Sequence, residues 1–305
     1  MRIFSTIPNL TKEYSNIVVA LGTFDGVHLG HQNIINKAIA LSKEIFGTCV
    51  VFTFSNHPLG VISPKNCPLA IGDNAYKESL MKELGVDVLL NIPFTTDFLK
   101  LSPIEFLEIL QDNLNPKYIV VGPNYSFGYK GRGTPDLLIQ LGERFGFKAE
   151  IHPVVYIDNK LVSSTLIRNL ILKGDIKAAN KLLGKNFKIQ GRVIGGDQRG
   201  RLLGFPTANM EIKKGRAIPS NGVYAVNVIF ENNTYHAIAN IGTNPTFQGL
   251  IRHIEVHILD FNLNIYNEII EIEFIDKIRG EKRFSNADEL IKQITADITV
   301  ALEKF

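Results

Sequence analysis

The chain has 305 residues, 45% of them hydrophobic and 21% charged, with a formal net charge of +3 from 33 basic and 30 acidic residues. That length is comfortable for two domains with buried cores, and the composition is that of an ordinary soluble protein. So small a net charge argues against a general nucleic-acid binder, and no apolar run reaches the length of a membrane span.

The N-terminus MRIFSTIPNL has no long apolar core after its charge, so no leader is expected. In residues 18–35, VVALGTFDGVHLGHQNII, an apolar run stops at Gly22 and a helical pattern begins only after His28 and His31. A strand feeding a glycine turn and a helix start gathers free N–H groups and the helix's positive end at one point, a place for phosphate. The two histidines stand three apart, so their rings share a helix face, while Gly22, Gly26 and Gly30 let a nucleotide approach the backbone closely. The plainer reading is a tight turn with two surface histidines.

Ile34, Ile35, Ala38, Leu41 and Ile45 then recur at helical spacing up to Gly47, expected as the C-terminal cap. A strand follows at 48–54, holding Cys49, which packs in a core. Cys67 is the other cysteine, and without a disulfide framework a reducing, cytoplasmic setting is expected. Residues 73–84 read as a helix closed by Gly85, and 86–92 as a strand. Ser102-Pro-Ile-Glu105 combines a capping box with proline at the first helical position and opens a helix to about Leu114. A buried strand at 118–121, a helix from Thr134-Pro135 to Gly146 and a strand at 147–157 complete the half. Strands alternating with helices call for a parallel sheet covered on both faces, with ligands at the carboxyl ends of its strands. The glycine-rich loop from Val121 through Asn124 to Gly133, and Ser163-Ser-Thr-Leu-Ile-Arg168 opening a helix, should reach that edge. Hydroxyls, free amides and an Arg make an anion clamp, although a plain N-cap with a surface Arg fits too.

After a short helix at 175–183 and Gly184 the pattern changes. Alternating strands and turns fill 187–275, which implies a small antiparallel barrel, with domains of 1–184 and 185–305. From Lys185 to Arg216, eight basic residues (Lys185, Lys188, Arg192, Arg199, Arg201, Lys213, Lys214, Arg216) stand against only Asp197 and Glu211, which suits a polyphosphate or a solvated basic surface. Gly195, Gly196, Gly200 and Gly204 make a loop able to fold over phosphates. Thr207 and Asn209, two apart, project to one side with hard oxygens suited to magnesium, although a glycine-rich hairpin with a polar strand face explains the composition as well. In 253–259, His253, Glu255 and His257 share one face and Ile254, Val256 and Ile258 the other. The last 20 residues are an amphipathic helix, with Asn286 and Glu289 as a capping box and Leu290, Ile294, Ile298 and Ala301 as its packing stripe.

These stretches carry a resemblance. Gly22-Thr-Phe-Asp-Gly-Val-His28-Leu-Gly-His31 resembles the HxGH signature of the nucleotidylyltransferases, in the FDG-preceded form of bacterial FAD synthetases. Val121 to Gly128 resembles that family's VGxDFxFG, with Asn124 for the aspartate and Tyr125 for the phenylalanine. Ser163 to Arg168 resembles its SSTxIR. The nineteen residues from Gly191 to Asn209 resemble the riboflavin kinase signature GxVxxGxxxGRxLGFPTAN, and Gly222-Val-Tyr-Ala, 242–247 and 255–261 fit the same family in order. Ile278 to Phe284 resembles its flavin-contacting segment, with Gly280 for an aspartate, and Asn267 stands where a glycine is usual.

The resemblance implies a bifunctional riboflavin kinase and FMN adenylyltransferase: a Rossmann-like parallel sheet, then a kinase-like barrel and a C-terminal helix. It implies ATP held by Gly22, Phe24, Asp25, His28, His31, Ser164, Thr165 and Arg168 in the first half, and FMN by Phe54, Pro58 and Asn124. In the second half it implies ATP at Gly195, Gly200, Gly204, Pro206, Thr207 and Asn209, magnesium at Thr207 and Asn209, flavin at Arg279, Glu281 and Phe284, and Glu255 as general base. Riboflavin, FMN and ATP are then substrates, with no nucleic-acid or membrane partner, in a monomer or weak oligomer. The alternatives are a kinase whose adenylylating half is impaired, which Asn124 motivates, and a non-catalytic flavin or nucleotide sensor.

Overall fold

A computed structural model describes residues 1–196, 200, 203–246 and 249–305. Asp197, Arg199 and Arg201 of the basic stretch, and Phe247, lie outside the described residues. The chain divides into two compact units, Met1–Ser164 and Thr165–Phe305.

The first unit is built on β1 (Arg2–Phe4), β2 (Ile17–Leu21), β3 (Thr48–Phe54), β4 (Val88–Ile92), β5 (Tyr118–Val121) and β6 (Lys148–Ile151), all parallel, in the order β1-β4-β3-β2-β5-β6. Every residue of β2 is buried, as an inner strand covered on both faces must be. Val18 and Ala20 pack with Ile35, Ala38 and Leu41 of α1 (Leu29–Glu44) and with Leu80 and Met81 of a second helix, Asn74–Leu84. Ile17, Val19 and Leu21 pack on the other side with Leu107 and Leu110 of Pro103–Leu114 and Leu138 of Pro135–Phe145. The alternation of one strand thus divides the unit's apolar side chains between two cores.

The local signals hold in most places. Ser102 Oγ accepts from Glu105 N at 3.2 Å and Glu105 Oε2 from Ser102 N at 2.7 Å, the complete capping box. Gly85 and Gly146 close their helices in the left-handed conformation. The strand expected at 147–157 instead breaks at His152-Pro153, and a two-residue hairpin, β7 (Tyr156–Ile157) with β8 (Lys160–Leu161), follows. Proline has no N–H to give a sheet, which accounts for the break.

At the end of α1 the cap differs from expectation. Phe46, not Gly47, takes the left-handed position at φ 52, its N–H bonding Lys43 O at 3.2 Å while Gly47 N–H reaches Ser42 O at 2.7 Å. Gly47 is required for space, since a Cβ there would stand 1.9 Å from Asn16 O.

From Thr165 onward the helix Ser164–Lys173 belongs to the second unit, and a helix over Ile176–Leu183 follows it. Asn180 ties the latter to the barrel, accepting from Phe187 N and donating to Phe274 O, both at 2.8 Å. The barrel is closed in the order β10-β13-β12-β11-β14-β9, all antiparallel, from β9 (Phe187–Ile194), β10 (Ala208–Glu211), β11 (Gly222–Phe230), β12 (Asn233–Thr246), β13 (Gly249–Ile258) and β14 (Ile269–Arg279). The last helix, Ala287–Leu302, lays Ile294, Ile298 and Ala301 on Val223, Ala225 and Ile238. Its capping box is only half formed: Asn286 Oδ1 accepts from Glu289 N at 2.9 Å, but Glu289 turns to the N–H and hydroxyl of Ser285.

Phe46 is 92% exposed, so its ring adds no packing while its backbone is strained. Phe46→Gly is expected to stabilise the protein by roughly 0.5–1 kcal/mol in urea unfolding, relief of left-handed strain outweighing the entropy of glycine.

Candidate active sites

The carboxyl ends of β2, β3 and β5 open on a cavity of about 930 Å³ lined by Gly22, Phe24, His28, Gly30, His31, Phe54, Pro58, Asn124 and Ser164, among others. Its floor is the turn between β2 and α1. Phe24 (φ 48), Gly26 (φ 77) and Val27 (φ 41) all lie in the left-handed region, which a β-branched residue seldom enters. Gly26 has that backbone and no room, since a Cβ would meet Ile71 at 2.8 Å. The turn is pinned by side chains: Asp25 Oδ1 accepts from Ile71 N at 3.0 Å, Gln32 Nε2 donates to Val27 O at 2.8 Å, and Ser164 Oγ donates to Asp25 O at 3.1 Å.

His28 caps α1, its Nδ1 accepting from His31 N at 3.2 Å. The two rings stack with centroids 3.5 Å apart, and Phe24 meets His31 edge-on. Burial pushes His28 down to about 4, and burial beside His28 and Lys77 holds His31 well below the usual imidazole range. Both rings are therefore neutral at pH 7. Because Nδ1 of His28 keeps its lone pair for the cap, its proton is assigned to Nε2. Neither is a free surface histidine: His28 is 5% exposed, and both line the cavity.

The apolar end of the cavity is aromatic. Phe54 touches Phe94 and Phe98 with centroids at 5.0 and 5.2 Å, and Tyr125 stacks on Phe127 at 5.8 Å. Such walls accept a flat heteroaromatic ring. The sequence pointed to Phe54, Pro58 and Asn124, and all three line this space. It missed Phe94 and Phe98, whose spacing just after β4 was the available signal. Asp25 is placed differently from expectation: its carboxylate serves the Ile71 and Gly72 amides, so it holds the turn. Thr165 and Arg168 belong to the second unit.

In the barrel the register builds the other site. Asn209 of β10 and Asn240 of β12 both stand opposite Glu255 of β13, so three polar side chains share one face while Ile254, Val256 and Ile258 are buried on the other. Glu255 lines a cavity of about 780 Å³ with Gly200, Thr207, Asn209, Arg279, Glu281 and Phe284. His253 Nε2 lies 4.0 Å from Glu255 Oε1, and His257 Nδ1 is 2.8 Å from Pro206 O, which fastens the segment bearing Thr207. Thr207 also lines a neighbouring, more apolar cavity of about 440 Å³, together with Pro206, Val193, Val256, Leu263 and Ile265.

The glycines divide by role. A Cβ on Gly196 would stand 2.1 Å from Asn209 Nδ2 and one on Gly200 2.4 Å from Phe205 O, whereas a Cβ on Gly195 would meet nothing within 4 Å. Gly204 is needed for its φ of 86. Arg279, expected on flavin, is engaged by Asp297: its Nε and Nη2 donate to that carboxylate at 2.8–3.0 Å and its Nη1 to Gly280 O. It lines the cavity as a fixed wall, with Phe284 against its guanidinium at 5.8 Å.

Among the described residues no group of three or more His, Cys, Asp or Glu could hold a metal by itself. The hydroxyl of Thr207 and the amide of Asn209 are neutral oxygen donors at one cavity wall, which fits a magnesium ion brought in with nucleotide phosphates.

A family model described as FAD synthetase matches residues 10–166, and one described as riboflavin kinase matches residues 183–305. A bifunctional riboflavin kinase/FMN adenylyltransferase of Buchnera aphidicola subsp. Schizaphis graminum is 38% identical over 100% of this chain and 99% of its own length. The protein of that name from Bacillus subtilis (strain 168) is 36% identical over 97% and 95%. A solved structure named as a macrolide-efflux protein from Streptococcus pneumoniae is 34% identical, with a TM-score of 0.90 over 99% of both chains. Among the described residues of this chain, no helix is long and apolar enough to cross a membrane.

Two measurements check the geometry. The ring NMR signals of His28 and His31 should stay flat from pH 8 to 5.5. Because the unfolded rings take up protons near 6.5 and folded His28 only near 4, stability should fall as pH drops between those values. Asp297 is 3% exposed. Asp297→Ala, which strands Arg279, is expected to cost the barrel about 3 kcal/mol in denaturant unfolding.

Proposed function

Because this chain belongs to the bifunctional riboflavin kinases/FMN adenylyltransferases, we propose that the barrel cavity is where riboflavin becomes FMN and the sheet-edge cavity where FMN becomes FAD. ATP is the donor in both. The functional boundary is assigned to 184/185, at the opening of the segment that matches the riboflavin kinase model, residues 183–305. The enzyme acts on small molecules in the cytoplasm, as a monomer or weak oligomer, without nucleic acid or membrane.

In the kinase reaction Glu255 accepts the proton of the ribityl 5′-hydroxyl as that oxygen attacks the γ-phosphorus of ATP, and ADP leaves. Thr207 and Asn209 hold the magnesium that neutralises charge on the phosphates. The adenine takes the smaller apolar cavity, and Thr207, which lines both cavities, marks the path of the triphosphate. Glu281 and Phe284 border the flavin. The observation that carries this reading is the strand register that sets Glu255 between two amides on the wall that also bears Thr207.

In adenylyl transfer a phosphate oxygen of FMN attacks the α-phosphorus of ATP and pyrophosphate leaves. No side-chain nucleophile is needed, so the work is positioning and charge stabilisation. Neutral His28 donates Nε2–H to a phosphate oxygen, with His31 stacked behind it and the first amides of α1 beside it. Phe54, Phe94 and Phe98 border the isoalloxazine. Ser164, Thr165 and Arg168 are assigned to the departing pyrophosphate on the strength of the Ser163–Arg168 motif. A kinase with an impaired adenylylating half is not favoured, since relatives spanning the whole chain carry both activities in their names.

Glu255→Gln should lower FMN formation by more than about 100-fold while riboflavin binding and FAD formation from supplied FMN persist. Following riboflavin, FMN and FAD together by chromatography checks the two reactions, and titration of riboflavin fluorescence checks its binding. Normal turnover of riboflavin by this variant would remove Glu255 as the base.

A further inference from the structure

Lys77 belongs to none of the sequence motifs, yet its ammonium is buried beneath the first candidate site. It lies on the helix Asn74–Leu84, and Nζ donates to Phe54 O at 2.8 Å and to Thr23 O at 3.3 Å. Thr23 O also accepts from the buried hydroxyl of Thr53 at 3.0 Å. The two carbonyls stand at functional positions: Phe54 ends β3 and walls the aromatic end of the cavity, and Thr23 opens the turn that leads to His28.

A buried ammonium carries a desolvation penalty, and burial lowers Lys77 to about 8, against the opposing pull of Asp25 and Glu78. The turn it grips is strained at Phe24 and Val27, and such backbone persists only where its surroundings over-determine it. Asp25 on the turn, Glu78 on its own helix and His31 on α1 are the titratable groups that act on Lys77 or feel its charge.

We propose that Lys77 is a positioning residue for adenylyl transfer: by clamping the Thr23 and Phe54 carbonyls together it holds the strained turn that presents His28 and His31 to the cavity. This rests on the reading of that cavity as the adenylyl-transfer site.

The test uses the full chain, whose two reactions control for each other. Lys77→Met should lower kcat for FAD formation by about 10- to 100-fold, leaving KM for FMN within about twofold and riboflavin phosphorylation unchanged. Wild-type FAD formation should decline as pH rises through about 8, where Lys77 loses its charge, and Lys77→Arg should abolish that decline because guanidinium stays protonated. Without turnover, Lys77→Met should shift the ring NMR signals of His28 and His31 and leave those of His253 and His257 in place. Unmoved histidine signals, an unchanged kcat, equal loss of both reactions, or an alkaline decline that survives in Lys77→Arg would each overturn the proposal. A wild-type chain that makes no FAD while its histidine signals still respond would instead remove the adenylyl-transfer reading and leave the clamp standing.

Discussion

One hydrogen bond organises the first unit: His31 N–H to Nδ1 of His28, at the opening of α1. It makes an imidazole serve as the helix cap, where serine, threonine or a short acid or amide is the usual choice. The bond draws the two rings into a stack and commits the proton of His28 to the far nitrogen. Burial then keeps both rings neutral, so what the site can offer a ligand through them is a hydrogen bond rather than a positive charge. Under the proposed adenylyl-transfer reading, the positive charge at this site would come from the helix terminus and from whatever accompanies the nucleotide.

That arrangement depends on a backbone that would not hold itself. Two buried non-glycine residues with positive φ precede His28, and the groups that restrain them come from four places in the chain: Thr53, Ile71 with Gly72, Lys77 and Ser164. The strain is distributed over many partners, each of them modest.

The barrel reaches a similar end by another route. A strand alternates its side chains, and antiparallel pairing puts directly opposed residues on one face, so Asn209, Glu255 and Asn240 line up with no loop needed to aim them. Several glycines near this face leave no room for a side chain: at Gly196 a Cβ would collide with Asn209, at Gly200 with the Phe205 carbonyl and at Gly242 with His253.

Sequence by itself determined most of the elements, the two fold classes and the polar face of β13, because periodicity, capping residues and glycine positions act over a few residues and are written locally. It also singled out His28 and His31, which line one cavity, and Thr207, Asn209 and Glu255, which line another. Only the tertiary structure decided what those local signals compete with: Phe46 takes the left-handed cap while Gly47 is kept small by Asn16 beside it, Asp25 turns from the cavity to the Ile71 amide, Arg279 is taken by Asp297, and Lys77 reaches carbonyls in two separate segments. Each of these outcomes joins residues distant in the chain, and the pairing of a buried polar group is fixed by which partner the packing brings within hydrogen-bond reach.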